Sequence, residues 1–179
     1  KNKLLNIARQ ALEGYIRDDH VPEVSEEDLG ETLKKQTGAF VTLQKDGELR
    51  GCIGRFEANM PLYKVVEQMA IAAATQDMRF PTVEEEELDD ITIEISVLTP
   101  MEKMESIDKI ELGTHGIYIK KGAMAGTLLP QVATKTGWSK EEFLGHCARD
   151  KAGIGWDGWK DAEVYTYRAI VFGEKEFSG

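Results

Sequence analysis

Residues 38–56 read GAFVTLQKDGELRGCIGRF. Asp46-Gly47 is a two-residue hairpin turn signal, because both positions tolerate the positive φ that such turns require. Phe40, Val41 and Leu43 supply a first strand, and Leu49 to Phe56 a second. The second strand is unusual. Gly51 and Gly54 remove side chains where a strand normally packs them, while Arg50 brings a permanent charge and Cys52 a soft nucleophile. Strand alternation predicts Arg50, Cys52 and Gly54 on one face and Leu49, Gly51 and Ile53 on the other.

The same reading extends outward from this hairpin. Upstream, residues 3–19 carry Leu4, Leu5, Ile7, Ala8, Ala11, Leu12, Tyr15 and Ile16 at helical spacing, which predicts an amphipathic N-terminal helix. The segment that follows is polar and broken by Pro22, Gly30 and Gly38, as a connecting loop would be. Downstream of the hairpin, NMPLYKVVEQMAIAAATQD predicts a helix with Pro61 near its start and Leu62, Val65, Val66, Met69, Ala70 and Ala73 on its buried face. Pro81 ends it, and the acidic run at 84–87 reads as a solvated surface. Residues 91–98, ITIEISVL, alternate as a strand with one buried face.

Hairpin, helix, strand then recurs. HGIYIKKGAMAGTLLP gives strand, turn and strand. Ser139 and Glu142 form a capping box for a helix running to about Arg149. AEVYTYRAIVF, 162–172, reads as one final strand. The expected fold is therefore α+β. Two hairpin–helix–strand (ββαβ) units, 38–100 and 113–173, form mixed or antiparallel sheet with helices packed on it, plus the N-terminal helix.

Bulk properties narrow the function. A length of 179 residues suits one ordinary domain. No apolar run approaches the ~20 residues of a membrane span, and the N-terminus has no signal-peptide core. The net charge of −10 argues against nucleic acid, whose binders need a concentrated basic face, and against a membrane surface. The two cysteines, Cys52 and Cys147, are far apart and fit a reducing cytoplasm. The three histidines are scattered, so no metal site is expected.

LRGCIG, DMRFP, IEISVLTP, HGIYI and GTLLPQVATKTGW…EEFL occur in that order and at suitable spacing. In combination they resemble the AMMECR-type domain, protein A of the AmmeMemoRadiSam system, over nearly the whole chain. The resemblance implies a single domain over 1–179, an α+β fold, and Memo-type and radical SAM proteins as partners. It names neither a reaction nor a cofactor. It implies a cleft beside the glycine–cysteine motif. Arg50, Gly51, Cys52, Ile53 and Gly54 match that motif, Asp77, Arg79 and Phe80 a second, His115 and Gly116 a third, and Pro130 and Gln131 a fourth. Arg55 and Met78 depart from the usual pattern, where Thr and Pro are common.

Two functions follow as expectations. In the first, the cleft binds and chemically processes an unidentified small anionic molecule, with Cys52 as nucleophile and His115 as proton carrier. Arg50, on the same strand face, would lower the Cys52 pKa, Arg50 and Arg79 would grip the anion, and Gly51, Gly54, Asp77 and Gln131 would complete the binding site. In the second, the same residues serve a non-catalytic ligand-binding or docking module. For Cys52 a buried structural thiol is as good a reading as a thiol lining the cleft, a reactive nucleophile is the narrower reading, and Asp77–Arg79 also reads as a local salt bridge.

Overall fold

The structure, a computed structural model, describes residues 1–57 and 59–177. The chain divides into two compact units, one of residues 1–98 with the strand from Ile170 onward, the other Thr99–Ala169. The first unit begins with helix α1 (Asn2–Asp18), whose last turn is closed by Asp19 in the left-handed conformation. After the short helix α2 (Glu31–Lys34) come strands β1 (Ala39–Lys45) and β2 (Glu48–Arg55). They form the expected hairpin: Asp46 and Gly47 take φ of 53° and 83° in the turn. Helix α3 (Leu62–Thr75), with Pro61 at its N-cap, and strand β3 (Ile91–Leu98) follow as the periodicity predicts.

β1 pairs antiparallel with both β2 and β3, and β8 (Ala169–Gly173) lies at the far edge, giving the order β2-β1-β3-β8. One sheet face is apolar. Val41, Leu43, Ile91, Ile93 and Ile95 alternate onto it and meet Leu4, Leu5, Ala8 and Leu12 of α1 and Val65, Val66, Met69 and Ala70 of α3. Each fully buried Val, Leu or Ile contributes about 1.5–3 kcal/mol, so this layer dominates the stability of the unit.

The second unit carries strands β4 (Glu102–Lys103), β5 (Gly116–Lys121), β6 (Met124–Leu128) and β7 (Glu163–Tyr167), ordered β4-β7-β5-β6. Every register recorded in it is antiparallel. Helices α4 (Pro130–Thr136) and α5 (Lys140–His146) lie between β6 and β7 in the chain. The Ser139–Glu142 capping box opens α5, which continues as a π-helical turn over Cys147–Lys151. Ile117, Ile119, Phe143, Leu144, Cys147 and Val164 form the core, with Trp138 and Trp159 packed against it.

The expected α+β architecture of two hairpin–helix–strand units with an N-terminal helix is thus observed. One element differs. The stretch 162–172 is two strands, because the ladder changes sheets at Arg168: β7 belongs to the second sheet and β8 to the first. Thr99 and Arg168 mark that point, where Thr99 N–H donates to Arg168 O and Arg168 N–H to Thr99 Oγ1, both at 2.8 Å.

Candidate functional site

The glycine–cysteine strand is shaped by a β-bulge. Leu43 pairs with Gly51 but Gln44 pairs with Leu49, so Arg50 is the extra residue. The bulge removes Arg50 from the alternation expected of a regular strand. Its half-buried guanidinium forks onto Glu87, Nε at 3.0 Å and Nη2 at 2.8 Å, and donates to the Pro81 carbonyl at 2.9 Å. Lys45 Nζ reaches the same carboxylate at 3.2 Å. Arg50 therefore anchors the 81–87 segment to the hairpin. Glu87, expected on a solvated face, is its fixed counter-ion, and Arg50 with the Glu84 N–H and Lys45 holds the Glu87 pKa down to about 2 against the effect of burial.

The two glycines solve two packing problems. At Gly51 a Cβ would collide with the Ala73 carbonyl, so the missing side chain lets β2 lie directly on α3. At Gly54 a Cβ would enter the Phe40 ring on the paired strand. Neither glycine has a positive φ. Their role is close approach.

Cys52 follows the bulge and returns to regular pairing, opposite Thr42, which in turn pairs with Glu94 of β3. Thr42 Oγ1 donates to Cys52 Sγ at 3.2 Å. Asp77, just beyond α3, closes the arrangement. Its Oδ2 accepts the Cys52 N–H at 2.9 Å. It also receives Arg79 Nε on Oδ1 at 2.9 Å and Arg79 Nη2 on Oδ2 at 2.6 Å. The motif D-x-R-F is thus a carboxylate hinge: one buried side chain joins a loop arginine to the backbone of the cysteine strand.

The electrostatics follow. The Arg79 fork and the N–H groups of Cys52 and Arg79 hold the Asp77 carboxyl well below the usual carboxylate range, outweighing burial. Burial pushes the Cys52 thiol up; the Thr42 hydroxyl and Arg79 charge oppose that rise, while Asp77 and Glu94 reinforce it. Cys52 is accordingly a protonated thiol at neutral pH, and the cation beside it is Arg79, not Arg50. Arg79 is 58% exposed and its Nη1 has no hydrogen-bond partner among the described residues. It presents one free donor edge while the other is clamped. Met78, next to it, is 99% exposed.

The structure brings together Cys52, Asp77 and Arg79, with Gly51 and Gly54 shaping the strand beneath them. His115 and Gln131 belong to the second unit. His115 precedes β5, and its Nδ1 accepts the Glu111 N–H at 3.1 Å. Gln131 is the second residue of α4. Thr42, Glu94 and Glu87 were not singled out by sequence reasoning. A bulge-free hairpin would set Thr42 opposite Gly51, and only the extra residue at Arg50 moves it to Cys52. Both cysteines are free thiols. Among the described residues there is no cluster of three metal-ligating side chains, and no helix is long and apolar enough to cross a membrane.

Comparison with known proteins gives these features a lineage. The chain is 42% identical to a protein of Methanopyrus kandleri, covering 98% of this chain and 89% of that one. It is 44% identical to one of Methanothermobacter thermautotrophicus, covering 96% and 92%. In three dimensions it is similar to an uncharacterized protein of Pyrococcus horikoshii solved by crystallography, with a TM-score of 0.87, 38% identity, and 96% and 89% of the two chains covered. The model of the AMMECR1 family matches residues 5–172, a span that holds the hairpin, the aspartate hinge, the whole second unit and most of the first, and the chain belongs to the AMMECR1 family.

Proposed function

We propose that this protein binds a small anionic molecule through Arg79, beside the Cys52 thiol, as a non-catalytic recognition module. The observation that carries this reading is the state of Arg79: Asp77 fixes its orientation through two oxygens, yet its Nη1 edge is free and its side chain is mostly exposed. A pre-oriented guanidinium is suited to carboxylate or phosphate, and its immobilisation before binding lowers the entropy lost on binding. Covalent processing by Cys52 is the weaker reading, because burial raises the thiol pKa and so depletes the thiolate that would attack. His115 as its proton carrier falls with that reading.

The family resemblance supports a setting for the module: a cytoplasmic protein working with Memo-type and radical SAM partners. Binding is tested by calorimetry with inorganic phosphate, succinate and citrate as probes. Saturable binding that Arg79→Ala and Arg79→Lys both weaken supports recognition. Equal binding by wild type and Arg79→Ala overturns it. Rapid thiolate chemistry at Cys52 near pH 7 would restore the covalent reading.

A further inference from the structure

A concave site lies wholly within the second unit. It is a cavity of about 160 Å³ lined by Thr99, Pro100, Glu102, His115, Thr166, Tyr167 and Arg168. That volume equals roughly five waters at their liquid packing of about 30 Å³ each, which suits a molecule of amino-acid size.

Its walls are rigid. The Thr99–Arg168 pair of 2.8 Å hydrogen bonds joins the two segments on one side. Glu102 stands opposite Thr166 in the β4–β7 ladder. Tyr167 is buried, with its ring over Gly116 and its hydroxyl in hydrogen-bond contact with Thr127 Oγ1 at 2.7 Å and the Leu128 carbonyl at 3.2 Å. The tyrosine hydroxyl is thus engaged by its own neighbours, and the residue serves as wall.

The polar groups left to a ligand are a cation, a ring N–H and a carboxylate, besides the Thr166 hydroxyl. Arg9, Arg17, Arg50, Arg79 and Arg149 all sit in ion pairs, whereas the exposed Arg168 side chain, like that of Arg55 in the first unit, makes no hydrogen bond or ion pair among the described residues. His115 Nδ1 accepts a backbone N–H, so the neutral ring carries its proton on Nε2, which is left as a donor. Among the described residues the exposed Glu102 carboxylate makes no hydrogen bond or ion pair either, and it offers a pure acceptor. Two donors, one of them a permanent cation, and one anionic acceptor around so small a volume match a molecule with a charge of each sign.

We propose that this cavity binds a small zwitterion of α-amino-acid type, its carboxylate held by Arg168 and His115 Nε2–H and its ammonium by Glu102. The site is separate in its residues from the Arg79 site, and neither requires the other.

The test is NMR titration of the full chain, following backbone amides of 99–102, 115–117 and 166–168 and the Arg168 Nε–H. The probes are glycine, L-alanine and L-serine, with acetate, methylammonium and L-tryptophan as comparisons. Saturable shifts are expected at these positions with the three small amino acids. Acetate and methylammonium should bind at least about tenfold more weakly, since each lacks one charge-assisted contact. L-Tryptophan should be excluded by size. Arg168→Ala and Glu102→Gln should each weaken alanine binding at least about tenfold with the spectrum otherwise preserved, as both are surface side chains. Arg79→Ala should leave it unchanged. No saturable shift with any small amino acid overturns the site. Acetate binding as tightly as alanine, or an unaffected Glu102→Gln, overturns the zwitterion assignment.

Discussion

The Asp77 carboxylate accepts the backbone N–H of Cys52 at 2.9 Å across 25 residues of sequence. That bond ties the loop after α3 to the strand that carries the thiol. The same carboxylate holds Arg79, so the exposed arginine and the cysteine strand share a single support.

Removing the charge of Asp77 should loosen both. Asp77→Asn keeps the shape but replaces one acceptor oxygen with a donor, facing either the Cys52 N–H or the Arg79 fork. The expected loss is about 2 kcal/mol, with the half-exposed arginine contributing less than a buried one would because solvent screens it. Urea unfolding reads the midpoint, and a change under about 0.5 kcal/mol would show that the hinge is not a structural support.

Acid should destabilise the protein through two carboxylates. Glu87, held near 2 instead of 4.5, and Asp77, also depressed, are both ionised in the folded and unfolded chains above about pH 5. Their contribution is therefore complete there. As pH falls below the ordinary carboxylate range the unfolded chain takes up protons first, and stability declines toward pH 2. Arg50→Ala removes the main cause at Glu87, so its urea midpoint should start lower at pH 7 and fall less steeply with acid. A slope unchanged from wild type would mean that the Arg50–Glu87 fork is not what holds Glu87 ionised.

Gly51→Ala should be among the most damaging single-methyl changes in the chain. The added carbon meets the backbone carbonyl of Ala73, which no rotamer change can move, so β2 and α3 must separate. A loss of about 2–4 kcal/mol is expected, or failure to fold at 37 °C. Gly47→Asn, in the turn with open space around it, serves as a control and should cost about 1 kcal/mol or less.

The two thiols should be told apart by reagents. Cys52 is partly exposed with its pKa raised, and Cys147 is fully buried with its pKa pushed up to about 12. In the native protein iodoacetamide should label Cys52 more slowly than free cysteine at pH 7.5, with a rate that climbs above pH 9, and should leave Cys147 untouched until unfolding. Arg79→Ala should slow Cys52 further. Mass spectrometry after timed quenching gives both rates, and fast labelling of Cys52 at pH 7 would contradict the protonated thiol.

Much of this molecule could be read from local pattern, and its limits have definite causes. The hairpin was legible because Asp46-Gly47 fixes a turn by itself. α3 and β3 were legible because their periods of 3.6 and 2 are uninterrupted. The bulge was not, since nothing in LRGCIG says which residue will be the extra one, and one residue's slip redirects Arg50 and changes the partner of Cys52. Glu87 looked like its acidic neighbours because its partner lies 37 residues away. Residues 162–172 looked like one strand because Tyr, Val and Ile alternate straight through Arg168, and only pairing with distant strands divides them. Asp77 and Arg79 were picked out together, but the Cys52 N–H as their third member is a backbone group and leaves no mark in a sequence.

The clasp between Thr99 and Arg168 has a consequence for how such a chain can be cut and rejoined. The segment from Thr99 to Ala169 leaves and re-enters between β3 and β8, which lie side by side in one sheet, and its own two ends are bonded to each other. It has the form of a cassette spliced into a host. A short bridge from Leu98 to Ile170 could close the host over the gap, and the cassette could be carried to another scaffold by its clasped ends.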